Sequence, residues 1–342
     1  MAHRYLLLLL SILGSLSVSA QSFQETTHSV KAFDHLDLSL TAGLLGVGLE
    51  ASTPLNPSLT FRSGIHYMPK FKPKMSFGVG LENDEVSGPV SSDRFNEIAE
   101  IFSGFTGCQV DDKIDMIGEP TMFNASLLLD FAPFKDKRWH FTAGIYLGPR
   151  RIAKAYNTTE DMPSLFSVLI YNKMYESAYN DEPMFVYGDK AVYVDPEIAA
   201  KLLDYGRMTI NIGDMADGSG ACRLMPNSES MMKVDMKVNL VRPYLGFGFT
   251  QPIRNRQHES TAYSFGFDAG VMFWGGAPQV ITQRYVEHYD EKNDVITGTL
   301  ENVDLARDVV NIKGKVGDYV RFVKSMKVCP MLNIKLTKRI DW

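Results

Sequence analysis

The chain has 342 residues and a formal net charge of −5; 45% of its residues are hydrophobic, 22% are charged and three are cysteines. That composition is ordinary for a globular protein, and mild acidity without a basic cluster argues against nucleic acid as a partner. An odd cysteine number in an exported chain allows one disulfide, for which Cys108 and Cys222 are the favoured pair, with free thiols as the alternative, and no histidines stand at the spacing a zinc site needs.

The first twenty residues read as a secretory leader. Arg4 precedes an apolar run from Leu6 to Leu16, and Val18-Ser19-Ala20 offers small or apolar residues where a signal peptidase needs them. Cleavage is expected between Ala20 and Gln21, leaving 21–342 as a single domain. The run is too short to span a membrane, and no later stretch reaches the roughly 18 uninterrupted apolar residues of a membrane helix. A mature chain that enters a membrane must therefore do so with strands.

Eight segments supply them, each alternating apolar and polar residues with period two. Leu36, Leu38, Leu40 and Ala42 alternate with Asp37, Ser39 and Thr41. Gly43-Leu44-Leu45-Gly46 follows as a tight turn, although Leu-Leu is poor turn chemistry. Val47, Leu49 and Ala51 then oppose Gly48, Glu50 and Ser52; Leu59, Phe61, Ile65 and Tyr67 oppose Thr60, Arg62, Gly64 and His66. The pattern resumes with Phe123, Ala125, Leu127, Leu129 and Phe131 against Asn124, Ser126, Leu128 and Asp130, and with Trp139 to Leu147 against His140, Thr142, Gly144 and Tyr146. Val241 to Phe249 opposes Arg242, Tyr244, Gly246 and Gly248, and Tyr263 to Phe273 opposes Ser264, Gly266, Asp268, Gly270 and Met272. The last strand sets Leu332, Ile334, Leu336, Ile340 and Trp342 against Asn333, Lys335, Thr337, Arg339 and Asp341; Lys338 is the one polar residue on its apolar face.

These segments are long enough to cross a bilayer when tilted, and an even count returns the chain to the side where it began. Loop lengths sort by parity. The connections 54–57, 133–137 and 254–260 are short, whereas those at about 69–121, 150–235 and 275–326 are long. Short periplasmic turns and long outer loops are the asymmetry of an outer-membrane barrel. The fold expected is all-β: an eight-stranded antiparallel transmembrane β-barrel with long extracellular loops containing short helices. In lipid such a sheet must close, because no backbone N–H can be left unpaired.

Tyr67, Trp139 and Phe273 then stand near strand ends on the outer face, where aromatic residues favour the headgroup level. The inner face carries Glu50, Arg62, Asp130, Arg242, Asp268, Lys335 and Arg339, expected to pair as a lumenal charge network rather than line an open channel. Inward glycines leave room for these long side chains.

The segments 41–68, 127–148, 241–252 ("VRPYLGFGFTQP") and 265–280 ("FGFDAGVMFWGGAPQV") resemble outer-membrane β-barrel proteins of Gram-negative bacteria, within a Bacteroides-type family of OmpA-like and OmpW-like small barrels. The resemblance covers about a third of the chain. It implies location and fold, with outer-membrane lipid and lipopolysaccharide as surroundings, and no catalytic residues. It also implies recognition of the last strand by the barrel-assembly machinery, through Ile340 and the terminal Trp342, which stands where such barrels usually end in Phe.

The loops are net acidic and are expected to fold locally. Asp93 is placed to cap a helix burying Phe95, Ile98 and Phe102 and ending near Gly104. Asp195-Pro196-Glu197 starts another, with Ile198, Leu202 and Leu203 on its apolar face before Gly206. A third is expected around Val303 to Val316. Asp214-Met-Ala-Asp217-Gly-Ser-Gly faintly resembles a calcium loop but lacks its ligand alternation, so no metal or cofactor site is expected. Asp130 and His140 fall on neighbouring strands, both inward; with His66 and Glu50 they are the residues a hydrolase would use. No serine near them sits in a nucleophile motif, and a lumenal hydrogen bond is the expectation. Three readings stay open: a structural or surface-binding barrel whose loops engage lipopolysaccharide, glycan or another surface protein; a narrow channel for small solutes or apolar molecules; and a lipid-modifying enzyme.

Overall fold

A computed structural model describes residues 31–81, 93–107, 110–253, 263–312 and 314–341. The leader 1–20, Cys108, the 254–260 turn and Trp342 lie outside these residues.

Eight antiparallel strands close into a barrel: β1 (His35–Gly43), β2 (Gly46–Asn56), β3 (Leu59–Tyr67), β4 (Phe123–Phe131), β5 (Trp139–Leu147), β6 (Val241–Pro252), β7 (Tyr263–Phe273) and β8 (Val328–Asp341). Closure comes from β1 against β8, with Leu40 opposite Leu336 and Ser39 opposite Thr337. The Ser39 and Thr337 hydroxyls meet across this seam at 2.7 Å. Down β4, residues alternate between the outer surface and the interior, with Asn124, Ser126, Leu128 and Asp130 buried and Phe123, Leu127, Leu129 and Phe131 exposed. An apolar surface facing outward over a polar interior is the reverse of a water-soluble sheet. Lipid on the outside is what makes it stable. Tyr67, Trp139 and Phe273 all stand exposed on that surface.

The β1–β2 turn resolves its own poor chemistry. Leu44 points out with the apolar surface, whereas Leu45 is only 1% exposed and folds back over the lumen. Gly46 takes φ 91°, and a Cβ there would strike the Tyr67 carbonyl oxygen, so glycine is required.

The long outer segments fold locally, and their described residues form a ten-stranded sheet, a separate hairpin and four helices. Five barrel strands carry on into that sheet in the same lateral order. Lys74–Gly78 follows β3, Lys113–Pro120 leads into β4, Arg151–Asn157 follows β5, Lys233–Lys237 leads into β6, and Gln279–Asp290 follows β7. Backbone hydrogen bonds bridge the junction: Met68 N–H to Met122 O (3.1 Å), Thr121 N–H to Ile152 O (2.8 Å), Gly148 N–H to Leu240 O (3.1 Å) and Val238 N–H to Arg150 O (2.8 Å). The outer body is thus the barrel wall extended beyond its apolar belt.

Along this continuous wall the interior changes chemistry. On the strand feeding β4, Ile114 and Met116 are buried; within β4, Asn124 and Ser126 are. Where water lies outside, the sheet buries an apolar face; where the outer surface is apolar, its interior turns polar. The buried apolar face meets helices α1 (Asp93–Thr106), α2 (Met162–Asn180) and α3 (Pro196–Tyr205) in one core that includes Phe95, Ile98, Phe102, Leu165, Val168 and Leu202. Helix α1 buries the three residues expected of it, and Asp195 caps α3, accepting from the Glu197 and Ile198 N–H groups. Leu203, expected on the buried face of α3, is 42% exposed. The helix expected around Val303 to Val316 lies further on, as α4 (Gly314–Ser325), because Val295–Asp304 is a strand paired with Gln279–Asp290.

Candidate functional site

The lumen is filled at two levels. At the lower one Arg62 is the hub. Its Nη1 donates to Asp268 Oδ2 (2.5 Å) and Glu50 Oε2 (3.3 Å), and its Nη2 donates to Asp130 Oδ1 (3.0 Å). The Thr142 hydroxyl donates to the same Asp130 oxygen at 2.7 Å, Lys335 Nζ lies 3.3 Å from Asp268 Oδ2, and His140 Nε2 is 3.1 Å from Asp268 Oδ1. All of these residues are buried. A planar guanidinium presents several N–H groups in one plane, which lets one cation serve three carboxylates from three strands. Space for this comes from Gly248, where a Cβ would strike both Asp268 Oδ1 and His140 Nε2.

The upper level is apolar and aromatic: Leu45, Leu128, Tyr146, Tyr244, Met272, Trp274 and Met331 form one buried cluster. Tyr146 and Tyr244 meet edge to face at 5.4 Å. A Cβ on Gly246 would strike the Tyr244 hydroxyl, so that ring occupies space a side chain would otherwise claim.

Two of the seven expected network residues stand apart. Arg242 is fully buried, but its partners are neutral: Asn124 Oδ1 (2.5 Å) and the carbonyl oxygens of Asn239 (2.8 Å) and Pro149 (2.5 Å). It ties β6 to the β5 exit and to β4. Arg339 is exposed at the far rim and pairs with Asp37 at 3.1 Å across the β1–β8 seam. Strand alternation gives the side of the wall but not the height, and height separates these two from the Arg62 cluster. Ile340 lies exposed near the end of β8.

The expected Asp130–His140 pairing does not form. Asp130 is held by Arg62 and Thr142, and His140 contacts Asp268 instead. His66 lies 3.2 Å from Ser126 Oγ and 3.5 Å from Glu50 Oε1, a trio with the composition of a hydrolytic triad. Both contacts use the same nitrogen, Nε2. A relay needs the acid on one ring nitrogen and the nucleophile on the other, and Ser126 is wholly buried. Asp214 and Asp217 flank a hairpin turn between Met208–Met215 and Ala221–Leu224. Asp214 Oδ2 accepts from Asn311 and Asp217 Oδ1 from the Ser219 N–H, so both carboxylates have partners within the hairpin's surroundings. Cys222 is a buried free thiol, pushed up to about 11 by that burial, and Cys108 falls outside the described residues.

The outer body has polar fastenings of its own that sequence reasoning missed. Arg207 lies between the rings of Tyr175 and Tyr285, 4.7 Å from each centroid, and donates to Glu287 (2.8 Å) and Glu176 (3.1 Å). This joins α2 to the outer sheet. At the junction with the barrel, buried Glu119 receives Lys70 Nζ at 2.9 Å and Lys154 Nζ at 3.1 Å. The hydrogen bonds from Lys70 and Lys154 hold its carboxyl at about 2, below the ordinary 4.5. The hairpin Phe185–Tyr187/Lys190–Val192 projects from the outer body, with Tyr187 80% exposed.

No protein-family model and no curated protein matches the chain. Among solved structures, CarO2 of Acinetobacter baumannii aligns over 91% of this chain and 100% of its own, at 12% identity and a TM-score of 0.35. CarO of the same organism aligns over 90% and 97%, at 12% identity and 0.34. A major outer membrane protein from Thermus thermophilus aligns over 90% and 99%, at 12% identity and 0.33. The closed barrel stands on its own strand register.

Proposed function

We propose that this protein is an integral outer-membrane barrel of a Gram-negative bacterium, exported on a leader cut after Ala20, with a structural or surface-binding role. The observation that carries this reading is a lumen filled at two levels beneath a folded outer body with its own core. Eight strands leave an interior just wide enough for side chains, and here side chains take it up. What the protein presents to its surroundings is therefore the outer sheet, the helices over it and the exposed Phe185–Tyr187 hairpin.

The apolar belt and the loop-length asymmetry support the address, as does the resemblance of the strands to Bacteroides-type small barrels. Ile340 and Trp342 are the residues we assign to recognition by the assembly machinery. An enzymatic role has no support from the lumenal histidines, whose contacts are those of a packed hydrogen-bonded interior. The reading is tested by planar-bilayer recording on the purified, heat-modifiable protein. Folded protein should insert without conducting. Reproducible open events would mean a continuous lumenal path and would replace this reading with a channel.

A further inference from the structure

The outer rim of the barrel carries several exposed cations in a net-acidic outer body. Above β3 the chain presents exposed Lys72 and Phe71; above β5 comes Arg150; ahead of β8, helix α4 exposes Phe322 (59%) beside Lys324, followed by exposed Lys327. These residues are scattered in sequence and are gathered only by barrel closure.

One cavity lies within this collar, between the outer ends of β5, β6 and β7 and the approach to β8. It measures about 680 Å³ and is lined by Arg150, Lys237, Arg307, Lys324 and Trp274. Its single acid, Asp304, is buried, and its Oδ1 accepts from the backbone N–H groups of Val280 and Ala306, both at 3.0 Å. Among the described residues Arg150, Arg307 and Lys324 have no ion-pair partner, and Lys237 pairs with Asp235 at 4.0 Å. Trp274 is 4% exposed, and its indole N–H has no partner among the described residues. Immediately below, Val241, Phe273 and Val328 face outward on the apolar belt, with Phe273 paired directly to Val328.

Four cations, three of them without an ion-pair partner among the described residues, fit a multiply charged oxyanion, and arginine fits phosphate by bidentate hydrogen bonding. A cavity set directly over an apolar wall fits an amphiphile that carries its charge at one end. We propose that this cavity binds the phosphorylated headgroup of an outer-leaflet lipid, with the lipid's acyl chains lying along Val241, Phe273 and Val328. The proposal rests on the outer-membrane reading above and names the ligand class for one part of that surface.

The test uses the full-length folded protein in phosphatidylcholine nanodiscs with and without bisphosphorylated lipid A as the probe. Lipid carried through detergent exchange is counted by native mass spectrometry. Wild-type protein should retain lipid A. The variant R150Q/K237Q/R307Q/K324Q should retain at least about tenfold less, and millimolar inorganic phosphate should not displace the lipid. A second variant, R307Q/K324Q, leaves every barrel strand untouched and should show a partial loss of the same sign, so a folding defect in the first cannot decide the matter. Equal retention by wild type and R307Q/K324Q would overturn the proposal. Displacement by inorganic phosphate alone would overturn it in favour of a soluble-anion site. Wild-type protein that shows no heat-modifiable mobility and enters no nanodisc would fail the outer-membrane reading itself, and the proposal with it.

Discussion

Arg62 shows how a single side chain settles the interior of a small barrel. Its guanidinium reaches Glu50, Asp130 and Asp268 at 3.3, 3.0 and 2.5 Å. Lys335 is the other cation in the cluster, against three carboxylates. Removing one partner of a buried ion pair leaves an uncompensated charge, which costs about 3–5 kcal/mol. Arg62→Met should lower the unfolding free energy of the detergent-solubilised barrel by about that amount. Arg62→Lys should be milder but still destabilising, since an ammonium cannot replace the fork-shaped donor set. A urea titration in which Arg62→Met unfolds with wild-type protein would show that the carboxylates do not depend on this hub. Glu119 makes a separate prediction at the junction. Its folded value of about 2, against an ordinary 4.5, means the Lys70 and Lys154 hydrogen bonds stabilise the folded state fully above about pH 4.5. That contribution fades as pH falls toward about 2. The wild type should therefore lose stability across this window more steeply than Glu119→Gln, which carries no titrating carboxyl there. Parallel acid titrations followed by intrinsic fluorescence would show it, and superimposable curves would remove Glu119 from the account.

At the scale of elements, what could be read from the chain depended on which solvent each face meets. All eight barrel strands were legible because lipid on one side and a polar lumen on the other enforce strict alternation, as Phe123 to Phe131 shows residue by residue. The outer strands alternate too, with breaks: Lys113, Asp115 and Glu119 interleave with Ile114, Met116 and Gly118, but Ile117 interrupts the polar set. Their apolar runs are short, however, and the outer body hides its sheet among net-acidic segments that resemble loops. Helices α1 and α3 announced themselves through an apolar stripe and, in α3, a capping aspartate. Helix α2 did not: its apolar residues lie on all sides, with Leu165 and Tyr171 buried and Phe166 exposed, and Asp161 makes no capping bond because it accepts from Thr158. The candidate sites follow the same division. The side of the wall occupied by Glu50, Arg62, Asp130, Asp268 and Lys335 follows from parity. The basic cavity does not, because Arg150 and Lys237 come from the segment between β5 and β6, Arg307 and Lys324 from that between β7 and β8, and the two meet only when these strands pair side by side.

At the scale of the whole molecule, the arrangement is one continuous wall serving two environments. Five strands leave the apolar belt without losing their hydrogen-bonded neighbours, so the outer body is held by backbone rather than by a flexible tether. Among the described residues the added structure sits on one end of the barrel, while the other end carries the short turns at 57–58 and 132–138. This one-sidedness fixes an orientation that can be tested without knowing any ligand. Tyr187 stands 80% exposed on the projecting hairpin, and Lys135 lies exposed in the turn between β4 and β5, at the opposite end. In intact cells a membrane-impermeant maleimide should label Tyr187→Cys at once and Lys135→Cys only after the outer membrane is permeabilised. Both substitutions are made in a background in which Cys108, Cys222 and Cys329 are replaced by Ser, so native thiols take up no label. The reverse labelling order would invert the topology and place the outer body in the periplasm, where a cavity for an outer-leaflet headgroup would have nothing to hold. Labelling of both positions in intact cells would mean that neither end is shielded by a membrane.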